Sequence, residues 1–260
     1  MSTTLDQTRG SKAAPQSPYS PRKPRDWARI GSYVVLLALS VAFLGPLLML
    51  VNTAFLTPME FNRDPMTLPS SFSLDNFSEA FDKANFARYL VNSIIYVVVS
   101  TTVFVVTGTF LSVAIARRFV RGGGLMFTLF LIALFLPPAL IPQFQLILRL
   151  GLFNNPIGYI MLFVVNPIGI VILVNYIRTI PIELDEAAAI EGTGYVRFVV
   201  QIIMPLAKPA IATVAVLHAI GVWNELILPT IYLTSEEFYP VTRGLIVFQG
   251  VYGTNWPLLS

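Results

Sequence analysis

The sequence predicts an all-α protein that crosses a membrane several times. Of its 260 residues, 55% are hydrophobic and only 12% are charged, and the mean hydropathy is +0.70. This is about half the usual share of charged residues, which leaves too little polar surface to cover a folded chain in water. Four stretches without Asp, Glu, Lys or Arg each exceed the roughly 20 residues that cross a hydrocarbon core. They are residues 30–59, 89–116, 122–148 and 150–177.

Five complete transmembrane helices follow from this charge pattern. The fifth carries a single charged residue, Glu225, within an otherwise apolar stretch. We expect a sixth helix to begin near Trp256 and to be cut short at Ser260. The five complete spans are placed at about residues 30–55, 90–116, 124–147, 156–177 and 209–233.

Prolines interrupt the third span. Pro137, Pro138 and Pro142 fall inside it, and each removes a backbone donor and bends the helix. Lipid tolerates such bends only where neighbouring protein satisfies the freed carbonyl groups. We therefore expect the third span to face protein rather than lipid.

The first 28 residues are predicted to form a disordered tail, and residues 29–260 form the membrane domain. Residues 1–29 are polar and carry six basic side chains and four prolines, a composition that cannot bury enough apolar surface to fold. The first span has the length of a membrane helix, and no small-residue cleavage site follows it. We expect this span to be an anchor.

The positions of Lys and Arg orient the chain. With the N-terminus inside, the inner segments hold twelve of the 17 basic residues and the outer segments hold five. Because short cytoplasmic loops carry the excess of Lys and Arg, we expect a cytoplasmic N-terminus. This orientation puts residues 178–208 in the cytoplasm.

The inner segment 178–208 predicts two short helices joined by a turn. Pro181 suits the first position of a helix, and Gly192 suits the end of that helix. Thr193 suits the cap of a second helix, which Pro205 ends. Acidic residues in the opening turn match the helix dipole, and alanines propagate helix well; these are Glu183, Asp185, Glu186, Ala187, Ala188 and Ala189.

An amphipathic helix lying on the membrane is the alternative interpretation of this segment. Three acidic residues in one turn are unfavourable beside an anionic inner leaflet, and alanines offer little apolar area to bury in lipid. We therefore favour docking of this segment into a basic pocket of another protein.

The same segment resembles a loop of a known family. Glu186-Ala187-Ala188 is followed after three residues by Gly192, and after nine further residues by Ile202, with Pro205 at the third position beyond Ile202. This is similar to the cytoplasmic EAA loop of binding-protein-dependent ATP-binding cassette importers, with Met204 in place of the family's Leu. The resemblance implies a type I importer permease fold.

Other stretches resemble the carbohydrate branch of that family, specifically the second permease subunit of the maltose-type importer. The similarity runs from about Trp27 to Ser260, and the chain departs from the family where a complete sixth span is expected. The fragments that carry it are 72–77, Asn92-Ser93-Ile94, Leu136-Pro137-Pro138, Ile141-Pro142 and Trp223-Asn224-Glu225.

The resemblance implies a multi-subunit importer in a bacterial or archaeal cytoplasmic membrane. The implied partners are a second permease subunit, two ATPase subunits that bind ATP and magnesium, and an external sugar-binding protein. This chain lacks the Walker-type phosphate-binding motif, so we expect no cofactor in it and no catalytic residue. The residues implied to couple it to the ATPase are Glu183, Asp185, Glu186, Ala187, Ala188, Ala189, Gly192 and Pro205.

Polar residues at membrane depth are candidates for the sugar path, because lipid makes them costly unless they face protein or water. For Glu225 a place in the cavity and a hydrogen bond between helices both remain open. For the asparagines the alternative is contact between helices, and for Trp223 it is interfacial anchoring. The candidates are Asn166, Asn175, Trp223, Asn224 and Glu225.

The outer stretch 249–256 occupies the place where this family inserts a loop into the binding protein. The resemblance implies that Gln249, Tyr252 and Asn255 contact that protein.

Other function classes have less support in the sequence. A secondary transporter or channel usually places several ionisable residues inside its spans, whereas only Glu225 is available here. A membrane enzyme or a metal site has almost no constellation to use, because the chain has no cysteine and one histidine, His218; we expect that histidine to hydrogen-bond a neighbouring helix. An ATP-driven importer of amino acids or metals remains an alternative.

Overall fold

The computed structural model describes residues 26–74, 78, 85–250 and 253–254, and this part of the chain is largely helical. Residues 1–25 of the predicted disordered tail lie outside the described residues. Residues 26–28, which were also predicted to belong to the tail, lie in the first helix. The predicted sixth span near Trp256 also lies outside the described residues. The all-α class is confirmed apart from one pair of two-residue strands.

Twelve helices occur in the described residues. They are α1 Asp26–Phe55, α2 Pro58–Arg63, α3 Phe86–Ala116, α4 Gly123–Ala133, α5 Leu140–Arg149, α6 Pro156–Met161, α7 Pro167–Arg178, α8 Glu183–Ile190, α9 Tyr195–Leu206, α10 Lys208–Trp223, α11 Ile227–Tyr232 and α12 Val241–Gly244. Short 3₁₀ turns lie at Glu236–Phe238 and Leu245–Phe248. Antiparallel strands β1 Gln249–Gly250 and β2 Gly253–Thr254 follow.

The chain divides into two compact units, Met1–Val51 and Asn52–Ser260. The described part of the first unit belongs to α1. This helix is long and apolar enough to cross a membrane between Arg29 and Phe55, and it exposes apolar side chains all round. Such a helix is stable only in lipid or against other protein.

The second unit contains one uninterrupted span and several interrupted ones. Helix α3, with 31 residues, is long and apolar enough to cross a membrane. Two bent pairs could each be a single span, α7 with α8 at 80° and α9 with α10 at 86°. By length and composition the described residues thus hold two spans, or up to four.

Three of the five expected spans are therefore not continuous helices. Breaks separate α4 from α5, α6 from α7, and α10 from α11. Pro137 and Pro138 lie in the first break and Pro167 begins α7. Proline supplies no amide to the helix and disfavours helical geometry at the residue before it. The third span was expected to be a bent helix, whereas in the structure it is fully interrupted between α4 and α5.

The core of the second unit lies where α3, α7 and α10 meet. The ring of Phe104 is completely buried there, beside Ile170 and Val214. A Cβ atom added at Gly169 would lie 2.5 Å from Cζ of Phe104, closer than real carbon atoms approach. The absence of a side chain at Gly169 is what lets α7 approach α3 so closely.

His218 on α10 completes this core. It is 3% exposed, and its Nδ1 lies 3.0 Å from the hydroxyl of Thr101 on α3. Its Nε2 lies 3.0 Å from the carbonyl oxygen of Phe163, between α6 and α7. The expected hydrogen bond from His218 to a neighbouring helix is confirmed.

Candidate functional site

Residues 178–208, which we call the elbow, contain the two short helices α8 and α9. Helix α8 begins at Glu183, with Ile182 at its N-cap position and Glu183, Asp185 and Glu186 in its first turn. Pro181 precedes this cap by one residue, so the expectation that it takes the first helical position is wrong. The amides of Asp185 and Glu186 bond instead to the carbonyl of Ile182.

Gly192 ends α8 as expected. Its φ of +67° is in the left-handed region, which glycine adopts without steric cost. Its amide bonds to the carbonyl of Ala189 at 3.1 Å, and the amide of Thr193 bonds to the carbonyl of Ala188 at 2.9 Å. This double hydrogen bond is the Schellman arrangement. Thr193 was expected to cap α9, but the capping position is Gly194, and no side chain caps the helix.

The second helix of the elbow passes through Pro205 and ends at Leu206. A π-helical segment, Val199–Ile203, lies just before this proline. Pro205 has no amide to donate to the preceding turn, and the wider π turn lies where the regular ladder would need that donor. The chain then bends by 86° into α10 at Ala207, which is fully buried.

The faces of α8 differ in exposure. Ala188 is 4% exposed and packs with Ile180 and Phe198 in the core. Four other residues of α8 expected to contact a partner are exposed to the surroundings. They are Glu183, Glu186, Ala187 and Ala189.

Asp185 points inward and pairs with a residue of its own chain. Its Oδ2 lies 3.0 Å from Nε of Arg117, the residue after α3, and the two side chains are 15% and 6% exposed. Burial raises the pKa of Asp185, and the nearby charge of Arg117 opposes that rise. Asp185 was expected to pair with a basic group of another subunit, whereas in this structure it pairs with Arg117. Glu183 and Glu186 are the acidic residues of α8 that are exposed. The signal that could have revealed the Arg117–Asp185 pair was the basic cluster after α3.

A groove of about 390 Å³ lies beside this ion pair, between α8, α9 and the turn after α3. Its aromatic walls are Phe119, Tyr195 and Phe198, with the ring of Phe119 edge-on to the other two at 5.8 and 6.1 Å. The elbow is therefore held by aromatic packing as well as by charge.

A larger cavity of about 710 Å³ lies where the three helix breaks converge. The lining includes Pro138 in the α4–α5 break and Gln143 in the first turn of α5. It also includes Val165 in the α6–α7 break, Pro167 at the start of α7, and Glu225 in the α10–α11 break. This volume is within the roughly 300–1,000 Å³ typical of small-molecule sites. Its lining is mostly apolar with a few polar groups.

Glu225 has both a structural contact and a place in this cavity. Its Oε1 accepts hydrogen bonds from the amides of Ile227 at 2.9 Å and Leu228 at 3.1 Å, the first residues of α11. The carboxylate thus caps a helix, while the residue lines the cavity. A hydrogen bond from Glu225 to another helix was one of the two alternatives. The bonds that the carboxylate accepts are instead from the helix that directly follows it, α11.

The other expected path residues lie elsewhere. Asn166 caps α7 through the amide of Gly169 at 3.0 Å and lines a separate cavity of about 200 Å³. Asn224 donates to the carbonyl of Ile220 in its own helix at 3.0 Å. Asn175 and Trp223 are exposed. Among the five candidates, only Glu225 lines the large cavity.

Gln143 in α5 was not among the residues predicted to line the sugar path. This amide lines the large cavity, and its Oε1 lies 3.4 Å from the hydroxyl of Tyr232, a weak contact. Gln143 follows Pro142 inside an apolar run, so its position at membrane depth was available as a signal.

A polar face on the first turns of α3 holds the segment 236–241. The hydroxyl of Tyr89 donates to Glu236 at 2.6 Å, and Asn92 donates to the carbonyls of Glu237 and Tyr239 at 2.8 and 3.0 Å. The bond from Tyr89, followed by that from Asn85, lowers the pKa of Glu236. This contact fixes the chain just before α12.

The residues expected to contact a binding protein are only partly described. Gln249 pairs with Thr254 in the β1–β2 hairpin. Tyr252 and Asn255 lie outside the described residues. Within the part of the chain that the structure describes, no group of three or more His, Asp or Glu side chains is placed to hold a metal ion.

Comparison with known proteins gives consistent matches. Residues 77–250 match the family described as binding-protein-dependent transport system inner membrane component. The diacetylchitobiose uptake system permease protein NgcG of Streptomyces coelicolor is 29% identical, covering 88% of this chain and 78% of that protein. The arabinooligosaccharides transport system permease protein AraQ of Halalkalibacterium halodurans is 30% identical, covering 84% and 81%.

The fold also matches a solved structure. A chain of a bacterial ABC transporter involved in the import of the acidic polysaccharide alginate superposes with a TM-score of 0.81. The match covers 94% of this chain and 92% of that chain, at 20% sequence identity. At this identity the similarity establishes the fold.

Proposed function

The chain belongs to the family of binding-protein-dependent transport system inner membrane components, and from this premise we propose that it forms half of the path through which an ATP-driven importer moves oligosaccharides. As a permease subunit of this family it is a non-catalytic membrane component. The observation that carries the proposal is the elbow, whose exposed acidic helix α8 lies on the loop that matches the family's coupling motif.

Coupling to ATP hydrolysis is assigned to the exposed face of α8. Glu183 and Glu186 offer negative charge to basic groups of an ATPase subunit, and the small side chains of Ala187 and Ala189 allow close approach. Charged groups that pair at such an interface add specificity, and losing one partner typically costs about 2–5 kcal/mol. The partner ATPase subunits bind ATP and magnesium. Their closure would rock the membrane helices between inward and outward access.

The sugar path is assigned to the 710 Å³ cavity between the helix breaks. In transporters, interrupted helices near the membrane centre expose backbone groups that can bind a solute. The carboxylate of Glu225 can accept hydrogen bonds from sugar hydroxyls, and the amide of Gln143 can both donate and accept. Apolar walls suit the C–H faces of a sugar ring. The names of two relatives, a diacetylchitobiose uptake system permease protein and an arabinooligosaccharides transport system permease protein, support this substrate class.

The topology follows the charge distribution. We place the N-terminus and the elbow in the cytoplasm of a bacterial or archaeal cell and count α4–α5, α6–α7 and α10–α11 as one interrupted span each, which gives five spans with α1 and α3. A second permease subunit completes the path. Gln249, Tyr252 and Asn255 are proposed to contact an external sugar-binding protein.

Reconstitution tests the function. The chain is co-purified with its partner permease, ATPase subunits and binding protein in proteoliposomes, and uptake of labelled di- to tetrasaccharides is measured. Uptake should require internal ATP and the binding protein, and it should stop with a non-hydrolysable ATP analogue. Uptake driven by a proton or sodium gradient without ATP would support a secondary transporter instead. ATP-driven uptake of amino acids or metal ions, with no sugar transported, would assign another substrate class.

A further inference from the structure

The turn after α3 is attached to the elbow at two points by one side chain. Arg117 pairs through Nε with Asp185 at 3.0 Å, and it donates from Nη2 to the carbonyl of Ile180 at 3.0 Å. Ile180 lies before Pro181, and Asp185 lies in the first turn of α8. Arg117 therefore holds the chain on both sides of the bend that starts α8.

Burial makes this pair different from a surface salt bridge. Exposed pairs contribute little because water and salt screen them, whereas the Arg117 and Asp185 side chains are only 6% and 15% exposed. Removing one partner from a buried pair leaves an uncompensated charge. The pair therefore resists separation of α8 from the end of α3.

A second contact joins the same two parts of the chain. The hydroxyl of Tyr195 in α9 donates to the carbonyl of Phe110 in α3 at 2.5 Å. Both helices of the elbow are thus attached to the last turns of α3. Helix α3 has 31 residues, about 46 Å at 1.5 Å per residue, and near its other end Tyr89 and Tyr96 hold the segment 236–241.

We propose that the Arg117–Asp185 pair is the joint through which a displacement of α8 moves α3. Asp185 is then a positioning residue that acts inside its own chain, while Glu183 and Glu186 face the partner. The inference rests on the proposed function, because the partner ATPase supplies the displacement. Along α3, the movement would reach the outer segment 236–241.

A double-mutant cycle tests the joint in the assembled transporter. Arg117→Gln, Asp185→Asn and the double variant are compared by the number of sugar molecules imported per ATP hydrolysed. Each single change should lower this ratio by about tenfold, and the double variant should be no worse than the lower single variant, because the interaction is already lost. Arg121→Gln, an exposed arginine in the same turn, is the matched control and should keep the ratio. Additive losses, or unchanged ratios in both single variants, would overturn the proposal.

A conservative variant and a distance measurement guard against misassembly. Asp185→Glu keeps the charge and should retain more than about half of the ratio; a loss as large as that of Asp185→Asn would argue against a charge pair. The chain has no cysteine, so spin labels can be placed at Val120 and Glu191, which are both exposed. The label distances should be narrow in the parent protein and broad in Arg117→Gln.

Failure of the proposed joint and failure of the proposed transport function give different results. The label distances do not depend on what is transported, so unchanged distances in Arg117→Gln refute the joint even if sugar uptake is absent. Conversely, broadened distances with no ATP-driven sugar uptake would leave the structural link standing and reject the proposed function.

Discussion

The imidazole ring of His218 lies almost parallel to the ring of Phe104, with centroids 4.7 Å apart and ring planes 14° apart. Nε2 faces the carbonyl oxygen of Phe163, so in neutral His218 this nitrogen carries the proton. Nδ1 then accepts from the hydroxyl of Thr101. One side chain thus joins α3 and α10 to the break between α6 and α7.

Replacing His218 by Leu should destabilise the protein. The change leaves the half-buried Phe163 carbonyl and Thr101 hydroxyl without their partner, which typically costs about 1–3 kcal/mol. The measurement is the thermal unfolding midpoint of the purified protein in detergent. Thr107→Val is the control, because that exposed hydroxyl bonds only within its own helix, and it should unfold near the parent temperature. Equal midpoints for both variants would show that the His218 contacts are not stabilising.

Gly169→Ala should also destabilise, because a Cβ atom there would meet Phe104 at 2.5 Å and Val214 at 2.9 Å. Overpacking of this kind costs about 1–3 kcal/mol. Gly221→Ala is the matched control on α10, where nothing lies within 4 Å of the added atom. Adding Phe104→Leu to Gly169→Ala should recover part of the lost stability, measured by thermal unfolding. No recovery would mean that the clash is relieved in another way.

Glu225→Gln and Glu225→Leu should separate the two roles of this residue. Gln keeps an oxygen that can cap α11, so the unfolding midpoint should stay near that of the parent, while loss of charge in the cavity should raise the KM for sugar uptake. Leu removes the cap as well and should cost about 0.5–2 kcal/mol of stability. If Gln leaves uptake unchanged, Glu225 is only a cap.

Glu186→Lys should uncouple transport without unfolding the membrane domain. The exposed carboxylate is replaced by a charge of opposite sign, so the ATPase subunits should no longer co-purify with the chain, and uptake should fall by about tenfold or more. Glu237→Lys reverses the charge of an exposed acidic residue in the segment 236–241 and serves as the control. Normal assembly and uptake in Glu186→Lys would remove α8 from the coupling mechanism.

The stability of the segment 57–70, which contains α2, should depend on pH through Glu60. Hydrogen bonds from Ser70 first, and from Thr57, lower the pKa of Glu60 from 4.5 to about 2. A carboxylate whose pKa is lower in the folded state than in the unfolded state contributes stability above the unfolded pKa. That contribution is lost as the pH falls toward about 2, the folded-state pKa of Glu60. Hydrogen exchange of this segment, corrected for intrinsic rate, should be slower in the parent than in Glu60→Gln at pH 7. A difference that persists unchanged at pH 2 would contradict this assignment.

Much of the candidate site could be predicted from residue pattern alone. The motif Glu186-Ala187-Ala188 with Gly192 located the elbow, and the positive φ of Gly192 follows from its place at a helix end. The inward direction of Asp185 could not be predicted, because the three acidic residues in the first turn of α8 are equivalent in a sequence. Their difference arises from Arg117, which is 68 residues earlier in the chain.

The residues proposed for the sugar path were also only partly predictable from the sequence. Polarity at membrane depth singled out Glu225, yet it also singled out Asn166, Asn175 and Asn224, which do not line the large cavity. Gln143 was overlooked, although it lines that cavity with Glu225. Distance along the chain says nothing about which helix breaks meet.

Composition and local pattern by themselves determined that this chain is a helical membrane protein, where its apolar segments lie, and that residues 178–208 form a helical elbow. These properties depend on transfer of side chains from water and on local backbone preferences, which act over a few residues. Only the tertiary structure decided which spans are interrupted, that three interruptions meet at one cavity, and that Asp185 belongs to Arg117. Those features depend on contacts between residues far apart in the chain, such as the close approach of α7 to α3 that Gly169 permits.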